Sequence, residues 1–178
     1  MKKVVIISST PRVGGNSEVL AKQFEKGALE AGHQVDFVAL RDHNFKYCTG
    51  CYGCHKIGKC VIDDGINEVS QKLLDADVIV FATPVYFYSM SGWLKVFIDR
   101  LTPIYEKVRA DIYMIATQWD PDKQIMENTF ESIRGLTKYC FEGCEEKGLV
   151  YGADLSELGD AENNQQIMQI TFEMGKNI

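Results

Sequence analysis

The chain has 178 residues, with 25 acidic and 19 basic side chains and a formal net charge of −6. No long basic stripe occurs, which argues against a nucleic-acid partner and against attraction to a membrane surface. No apolar run reaches the length of a membrane span, and the VVII run near the start is too short for a signal peptide. These features predict one domain over 1–178 and a cytoplasmic location.

Apolar strand patterns alternate with helical patterns along the chain. Strand patterns lie at 3–8, 34–40, 77–83, 111–117 and 149–155. Helical spacing occurs at 16–31, 65–74, 89–101, 123–146 and 163–174. This alternation predicts an α/β fold, namely a flavodoxin-like, doubly wound, five-stranded parallel sheet with strand order 2-1-3-4-5. A Rossmann dinucleotide fold fits less well, because no GxGxxG follows the first strand.

The segment SSTPRVGGNS (8–17) follows the first predicted strand, where such sheets bind ligands. It offers hydroxyls, a guanidinium and glycines that let backbone N–H groups approach closely, at the start of a helix. This combination favours a phosphate cradle over an ordinary capped turn, and it is not a P-loop because GxxxxGK[ST] is missing. The candidate ligand-binding residues are Ser8, Thr10, Arg12, Gly15, Asn16 and Ser17.

Aromatic residues follow the third and fourth predicted strands. The segment ATPVYFYSMSG (82–92) crowds aromatic side chains after Pro84, and ATQWDPD (116–122) adds a tryptophan. An aromatic surface beside a phosphate cradle suits a flat heterocycle, although the same side chains could instead cover the end of the sheet or an oligomer interface. The candidate ring-binding residues are Pro84, Val85, Tyr86, Phe87, Thr117, Gln118 and Trp119.

Four cysteines crowd the segment CTGCYGCHKIGKC (48–60). Cys48, Cys51 and Cys54 have the CxxCxxC spacing of a ferredoxin-type cluster loop, and Cys60 follows six residues later. Structural zinc usually takes two CxxC pairs with a longer spacer, so zinc is a weaker alternative. A metal-free loop that only shapes a lid or an interface also stays open.

Other polar and thiol residues have structural interpretations. Cys140 and Cys144 are expected on one buried face of the long helix. Asp63 and Asp64 are expected to cap the helix that follows them, and Asp99–Arg100 to form a structural ion pair.

Three motifs in order resemble the iron–sulfur flavoprotein branch of the NADPH-dependent FMN reductase-like family: SSTPRVGGNS, CxxCxxCx5C running into VIDDG, and ATPVYFYSMSGWLKVFIDR. The resemblance covers residues 1 to about 101 and implies a flavodoxin-like fold with bound FMN. It implies that the phosphate lies at Ser8, Thr10, Arg12, Asn16 and Ser17 and the isoalloxazine ring at 84–87. It further implies a [4Fe–4S] cluster on Cys48, Cys51, Cys54 and Cys60, and a homodimer or homotetramer.

The leading functional hypothesis is an FMN-dependent oxidoreductase or electron-transfer flavoprotein. Electrons would come from NAD(P)H or a ferredoxin-like protein donor and pass to a small-molecule acceptor. Because a flavin carries such chemistry itself, no catalytic side chain is assigned. Two alternatives stay open: a non-catalytic redox carrier or sensor that serves protein partners, and a nucleotide-binding module without redox function.

Overall fold

The computed structural model describes residues 1–178 and contains one parallel sheet of five strands. The strand order β2-β1-β3-β4-β5 confirms the predicted flavodoxin-like topology. The strands are β1 (Lys3–Ser8), β2 (Gln34–Ala39), β3 (Val78–Pro84), β4 (Asp111–Thr117) and β5 (Glu145–Gly152).

Seven α-helices surround the sheet. They are α1 (Asn16–Glu30), α2 (Gly53–Ile57), α3 (Ile66–Leu74), α4 (Gly92–Asp99), α5 (Glu127–Thr137), α6 (Asp160–Asn163) and α7 (Gln165–Lys176). Short 3-10 turns occupy Leu40–Asp42, Tyr105–Lys107 and Lys123–Met126. None of the helices is both long and apolar enough to cross a membrane.

Alternate side chains of the strands enter two separate cores, one on each face of the sheet. On β1, Val5 and Ile7 join the core formed with α3, α4 and α5, whereas Val4 and Ile6 join the core formed with α1, α6 and α7. This explains why the central strands read as continuous apolar runs, because both of their faces are buried.

Helices α1 and α7 approach each other at two glycines. A Cβ atom added at Gly27 would lie 2.1 Å from the Phe172 carbonyl oxygen, and one added at Gly175 would lie 2.1 Å from that of Phe24. These glycines therefore permit backbone-to-backbone contact that no larger residue would allow.

The predicted helix over 123–146 is wrong in its second half. Helix α5 ends at Thr137, and the chain turns through Gly143 with a φ of +74° before β5 begins at Glu145. β5 is an edge strand whose first three residues are exposed, so it starts without the apolar run that would have revealed it. Cys140 and Cys144 consequently lie in this turn rather than on a helix, although both still pack against the core.

Candidate functional site

The loop between β1 and α1 is fastened to the sheet and leaves a buried hydroxyl free. The Ser9 backbone N–H donates to the Ala82 carbonyl at 2.9 Å, which extends the β1–β3 ladder beyond the strand ends. Ser17 is 1% exposed, and its Oγ has no hydrogen-bond partner. Because buried polar atoms are nearly always paired, an unpaired hydroxyl in the first turn of α1 indicates a ligand position.

Gly15 closes this loop against Thr10. A Cβ atom at Gly15 would lie 2.6 Å from Thr10 Oγ1 and 3.2 Å from the Arg12 carbonyl oxygen, so the backbone can come this close only without a side chain. The Arg12 guanidinium is exposed and forms no ion pair with another residue. The loop therefore presents a free cation and a free hydroxyl beside the positive end of a helix.

Glu18 and Arg41 support the same loop, and sequence reasoning missed both. Glu18 Oε2 accepts a hydrogen bond from the Gly14 N–H at 2.9 Å, while its Oε1 accepts one from Arg41 Nη2 at 2.8 Å. The hydrogen bond to Glu18 raises the pKa of Arg41 although burial opposes the shift. A carboxylate four residues after a Gly–Gly-type turn was the signal for the first contact, whereas Arg41 follows β2 and becomes a neighbour only in the fold.

The turn Tyr86–Ser89, here called the aromatic turn, projects strained aromatic residues from the end of β3. Tyr86 and Ser89 exchange two backbone hydrogen bonds of 2.9 and 3.1 Å around Phe87 and Tyr88, which have φ angles of 49° and 61°. Positive φ at both central positions defines a type I′ turn, which glycine and asparagine normally occupy. Phe87 is nevertheless fully exposed, and such strain is characteristic of functional positions.

The loops after β4 and β5 lie beside the aromatic turn at the same edge of the sheet. The Val85 N–H donates to the Thr117 carbonyl at 2.8 Å, and the Gln118 N–H to the Gly152 carbonyl at 2.9 Å. The Gln118 side chain is already engaged, because Nε2 donates to the carbonyls of Asp120 and Asp122 at 2.9 and 2.8 Å. Trp119 remains 72% exposed at the rim.

These loops enclose a cavity of about 340 Å³, here called the strand-end cavity. It brings together twelve of the thirteen candidate residues: Thr10, Arg12, Gly15, Asn16, Ser17, Pro84, Val85, Tyr86, Phe87, Thr117, Gln118 and Trp119. Ser8 does not line it but lies buried at the end of β1, with its own Oγ unpaired.

Three further lining residues come from the segment after β5, which sequence reasoning overlooked. They are Leu155, Ser156 and Leu158. Asn16 ties this segment to the cavity, since its Nδ2 donates to the Glu157 carbonyl at 2.9 Å and its Oδ1 accepts from the Ala161 N–H at 3.1 Å. The carboxyl-end rule applied to the fifth strand would have found these residues.

The four cysteines of residues 48–60, here called the cysteine loop, all line a second cavity of about 220 Å³. Cys48 and Cys51 are exposed, Cys54 and Cys60 are half-buried, and all four are free thiols. No three thiol, imidazole or carboxyl groups lie close enough together to hold a metal ion. The donor set fits an iron–sulfur cluster, four sulfurs around one cavity, but the loop would have to draw its thiols together to bind one.

The Cys51 sulfur accepts hydrogen bonds from its own loop. The backbone N–H of Gly53 and the Thr49 hydroxyl, acting as hydrogen-bond donors, hold the pKa of Cys51 below its ordinary value. Thiolates rather than thiols ligate metals, so this shift favours ligation.

Arg100 and Asp64 pair beneath the cysteine loop, which corrects two predictions. Arg100 donates to both carboxylate oxygens of Asp64 at 2.9 and 3.0 Å, whereas Asp99 pairs with Lys95 instead. The N-cap position of α3 is occupied by Gly65 rather than by Asp63 or Asp64. Burial works against the charged form of Asp64, but the hydrogen bonds from Arg100 and from the Lys46 N–H, together with the positive charge of Arg100, outweigh it and lower the pKa of the carboxyl.

The two cavities share no lining residue and lie at opposite ends of α4. The strand-end cavity includes Pro84–Phe87, which precede the helix. The cysteine cavity includes Asp99, the last residue of the helix, and Arg100, Thr102 and Pro103 beyond it. Eight residues of α-helix, Gly92–Asp99, span about 12 Å.

The sequence model of the NADPH-dependent FMN reductase family matches residues 2–117. This segment contains the loop after β1, the cysteine loop and the aromatic turn, and it makes up more than half of the chain. The chain belongs to this family. Family membership confirms the resemblance that the three motifs indicated.

Several curated relatives of this chain are named iron–sulfur flavoproteins. One from Methanocaldococcus jannaschii is 37% identical over 102 residues, which cover 57% of this chain and 53% of the relative. One from Archaeoglobus fulgidus is 34% identical over 103 residues, covering 58% and 46%. The matched part of the chain thus spans about half the length of these relatives.

A solved structure of an NAD(P)H:quinone oxidoreductase from Methanothermobacter marburgensis superimposes with a TM-score of 0.75. The superposition covers 99% of this chain and 96% of the other. At 15% identity this likeness establishes the shared fold alone.

Proposed function

We propose that the chain is an FMN-dependent oxidoreductase that takes reducing equivalents from NAD(P)H or a protein donor and passes them to a small-molecule acceptor. The observation that carries this proposal is the buried, unpaired Ser17 hydroxyl, which lies in the first turn of α1 within a cavity walled by aromatic residues. Membership of the FMN reductase family supports the same cofactor. When bound, FMN supplies the hydride and electron chemistry.

The residues of the strand-end cavity have binding roles in this proposal. Arg12, Ser17 and the free N–H groups of α1 would bind the terminal phosphate, because an anion is stabilised at a helix N-terminus. The backbone of Pro84–Phe87 and the Trp119 side chain would orient the ring and exclude water from one side. A loop without a dinucleotide fingerprint favours one terminal phosphate, and thus FMN rather than FAD or NAD as the resident cofactor.

Removing both phosphate-binding side chains should weaken FMN binding. For Arg12→Ala combined with Ser17→Ala we expect a loss of about 1–3 kcal/mol of binding free energy, the range for hydrogen bonds to a charged group. Fluorescence titration of the apoprotein with FMN measures it. The matched control is Arg109→Ala with Ser132→Ala, two positions outside the strand-end cavity. Equal affinity of both double variants would show that the phosphate binds elsewhere.

We further propose that Cys48, Cys51, Cys54 and Cys60 ligate one [4Fe–4S] cluster. The shared cavity and the all-thiol donor set support this, as do the names of the curated relatives. The alternatives are a zinc site and a metal-free loop. Measurement of iron, zinc and acid-labile sulfide in the purified protein distinguishes all three.

Cys51→Ser tests the cluster because it removes a ligand without touching the strand-end cavity. We expect anaerobically reconstituted protein to lose its iron and acid-labile sulfide while it keeps FMN. Cys140→Ser is the matched control, since Cys140 lies outside the cysteine cavity. Fewer than about two irons per wild-type chain after reconstitution would contradict a four-iron centre.

The exposure of Cys48 and Cys51 favours electron exchange with a protein partner as a second candidate function. A ferredoxin-like donor could reach such a loop directly. Turnover of NAD(P)H by the purified protein supports the enzyme, whereas reduction by ferredoxin alone supports the carrier.

A further inference from the structure

Cys60 is held far more firmly than the other three cysteines of the loop. Its backbone N–H donates to Asn67 Oδ1 at 2.9 Å, and its carbonyl accepts from Asn67 Nδ2 at 2.9 Å. Its Sγ also accepts a hydrogen bond from Arg100 Nε at 3.2 Å. The sulfur atoms of Cys48, Cys51 and Cys54 form no comparable contact with a charged side chain.

Arg100 uses its whole guanidinium to join the two ends of the cysteine loop. Besides Cys60 and Asp64, it donates to the carbonyls of Lys46 at 2.5 Å and of Ile62 at 3.3 Å. Its side chain is 1% exposed, and that of Asp64 is 8% exposed. A buried, fully engaged arginine is costly to maintain, and a plain loop anchor would not need a donor directed at a sulfur atom.

Left-handed backbone positions flank the short helix in the middle of the cysteine loop. Tyr52 has a φ of 56° and Gly58 one of 71°, and these two residues flank the five-residue helix α2 that carries Cys54. Cys60 lies outside this helix and is anchored by Asn67 and Arg100.

We propose that Arg100 is a positioning residue for the cluster, which holds Cys60 as the preformed ligand and donates a hydrogen bond to its sulfur that raises the reduction potential of the bound centre. The proposal rests on the cluster proposed above. One-electron reduction of a [4Fe–4S] centre adds one negative charge, which a hydrogen bond to a ligand sulfur stabilises. Arg100 thus favours the reduced state relative to the same centre without this donor.

The first test uses the unaltered sequence, so it does not depend on a variant that folds. Wild-type protein is labelled with ¹⁵N-arginine, reconstituted anaerobically and reduced by one electron with dithionite. Pulsed EPR of the reduced cluster should then show a ¹⁵N hyperfine coupling that is absent from unlabelled protein. A labelled, paramagnetic cluster without this coupling overturns the proposal.

The second test separates the hydrogen bond from the charge. Arg100→Lys keeps the positive charge opposite Asp64 but removes the Nε donor, so the midpoint potential should shift to a more negative value and the ¹⁵N coupling should disappear. Arg109→Lys is the control, because Arg109 is half-exposed and pairs with Glu142 away from the cysteine cavity. An Arg100→Lys potential equal to that of the control overturns the proposal.

Iron and sulfide analysis of the wild type distinguishes the two levels of failure. A wild type that takes up no cluster overturns the cluster assignment and this inference together. A wild type with four irons, but with no arginine coupling and no shift in Arg100→Lys, overturns the role of Arg100 alone.

Discussion

At the scale of single residues, the shape of the strand-end cavity depends on the absence of a side chain at Gly15. Gly15 has an ordinary φ of −62°, so it is not required for backbone freedom. It is required because Thr10 Oγ1 would lie 2.6 Å from any Cβ atom at this position. Gly15 therefore allows the loop backbone to lie against the Thr10 hydroxyl, which no larger residue would permit.

Gly15→Ala should therefore weaken FMN binding without unfolding the protein. Thr10 and the loop would have to shift, at a cost of about 1–3 kcal/mol, which is typical of overpacking. FMN titration combined with a thermal melt measures both effects. Gly92→Ala is the control, since nothing lies within 4 Å of a Cβ atom there and its φ is not positive. A Gly15→Ala affinity equal to that of the control would contradict the cradle.

At the scale of elements, α4 joins the two cavities mechanically. Its N-cap, Ser91, donates from Oγ to the Ser9 carbonyl at 3.0 Å and accepts from the Leu94 N–H, which ties the helix to the loop after β1. Arg100 at its other end ties it to the cysteine loop. Phe45 adds an apolar contact by stacking on Phe97 at 6.0 Å between ring centroids.

The Arg100–Asp64 pair should contribute stability that depends on pH. Because the folded pKa of Asp64 lies below its unfolded value, the contribution is complete above about pH 4 and is lost as the pH falls through the folded pKa. Asp64→Asn should lower the free energy of unfolding by about 3 kcal/mol at pH 7, as expected when a buried pair loses one partner.

Urea unfolding at pH 7 and pH 3 measures this contribution. The difference in the free energy of unfolding between wild type and Asp64→Asn should be smaller at pH 3 than at pH 7. Asp63→Asn serves as the control, because Asp63 is exposed and forms no ion pair. A difference that is constant with pH would mean that the carboxylate charge is not what stabilises the loop.

At the scale of the whole molecule, large aromatic side chains are concentrated around the aromatic turn and the cysteine loop. Phe87, Tyr88, Trp119, Tyr47 and Tyr52 are all at least 61% exposed. Aromatic residues are enriched at protein interfaces, so these two exposed clusters support the prediction of a homodimer or homotetramer that buries both loops.

Light scattering at micromolar concentration should show a dimer or tetramer for the FMN-bound wild type. Phe87→Asn should shift the measured mass toward that of the monomer, because the substitution removes an exposed ring. Asparagine is chosen because it tolerates the left-handed backbone of the turn. Leu29→Gln removes an apolar side chain that is 53% exposed on α1 and should have no effect on the assembly. A wild-type monomer with FMN bound would contradict the assembly.

The sequence by itself determined the sheet and most of the strand-end cavity. Buried strands read as apolar runs, and parallel topology places their carboxyl ends at one edge, so Arg12, Ser17 and Tyr86 could be assigned to one site before any contact was known. The helix wrongly predicted over 138–146 and the strand predicted to begin at 149 instead of Glu145 lie where an exposed edge strand lacks an apolar signal.

Only the tertiary structure decided the pairings between segments distant in sequence. Three such pairings stand out. They join Arg41 to Glu18, Arg100 to Cys60 and Asp64, and Asn16 to Glu157. Local sequence patterns around these residues do not indicate the distant partner. Local pattern reports periodicity and turn chemistry, whereas the partner of a buried charge depends on which elements the fold brings within 3 or 4 Å. For this chain, the strand-end cavity could therefore be predicted from local patterns, whereas the partners of Arg100 beside the cysteine loop could be assigned only from the structure.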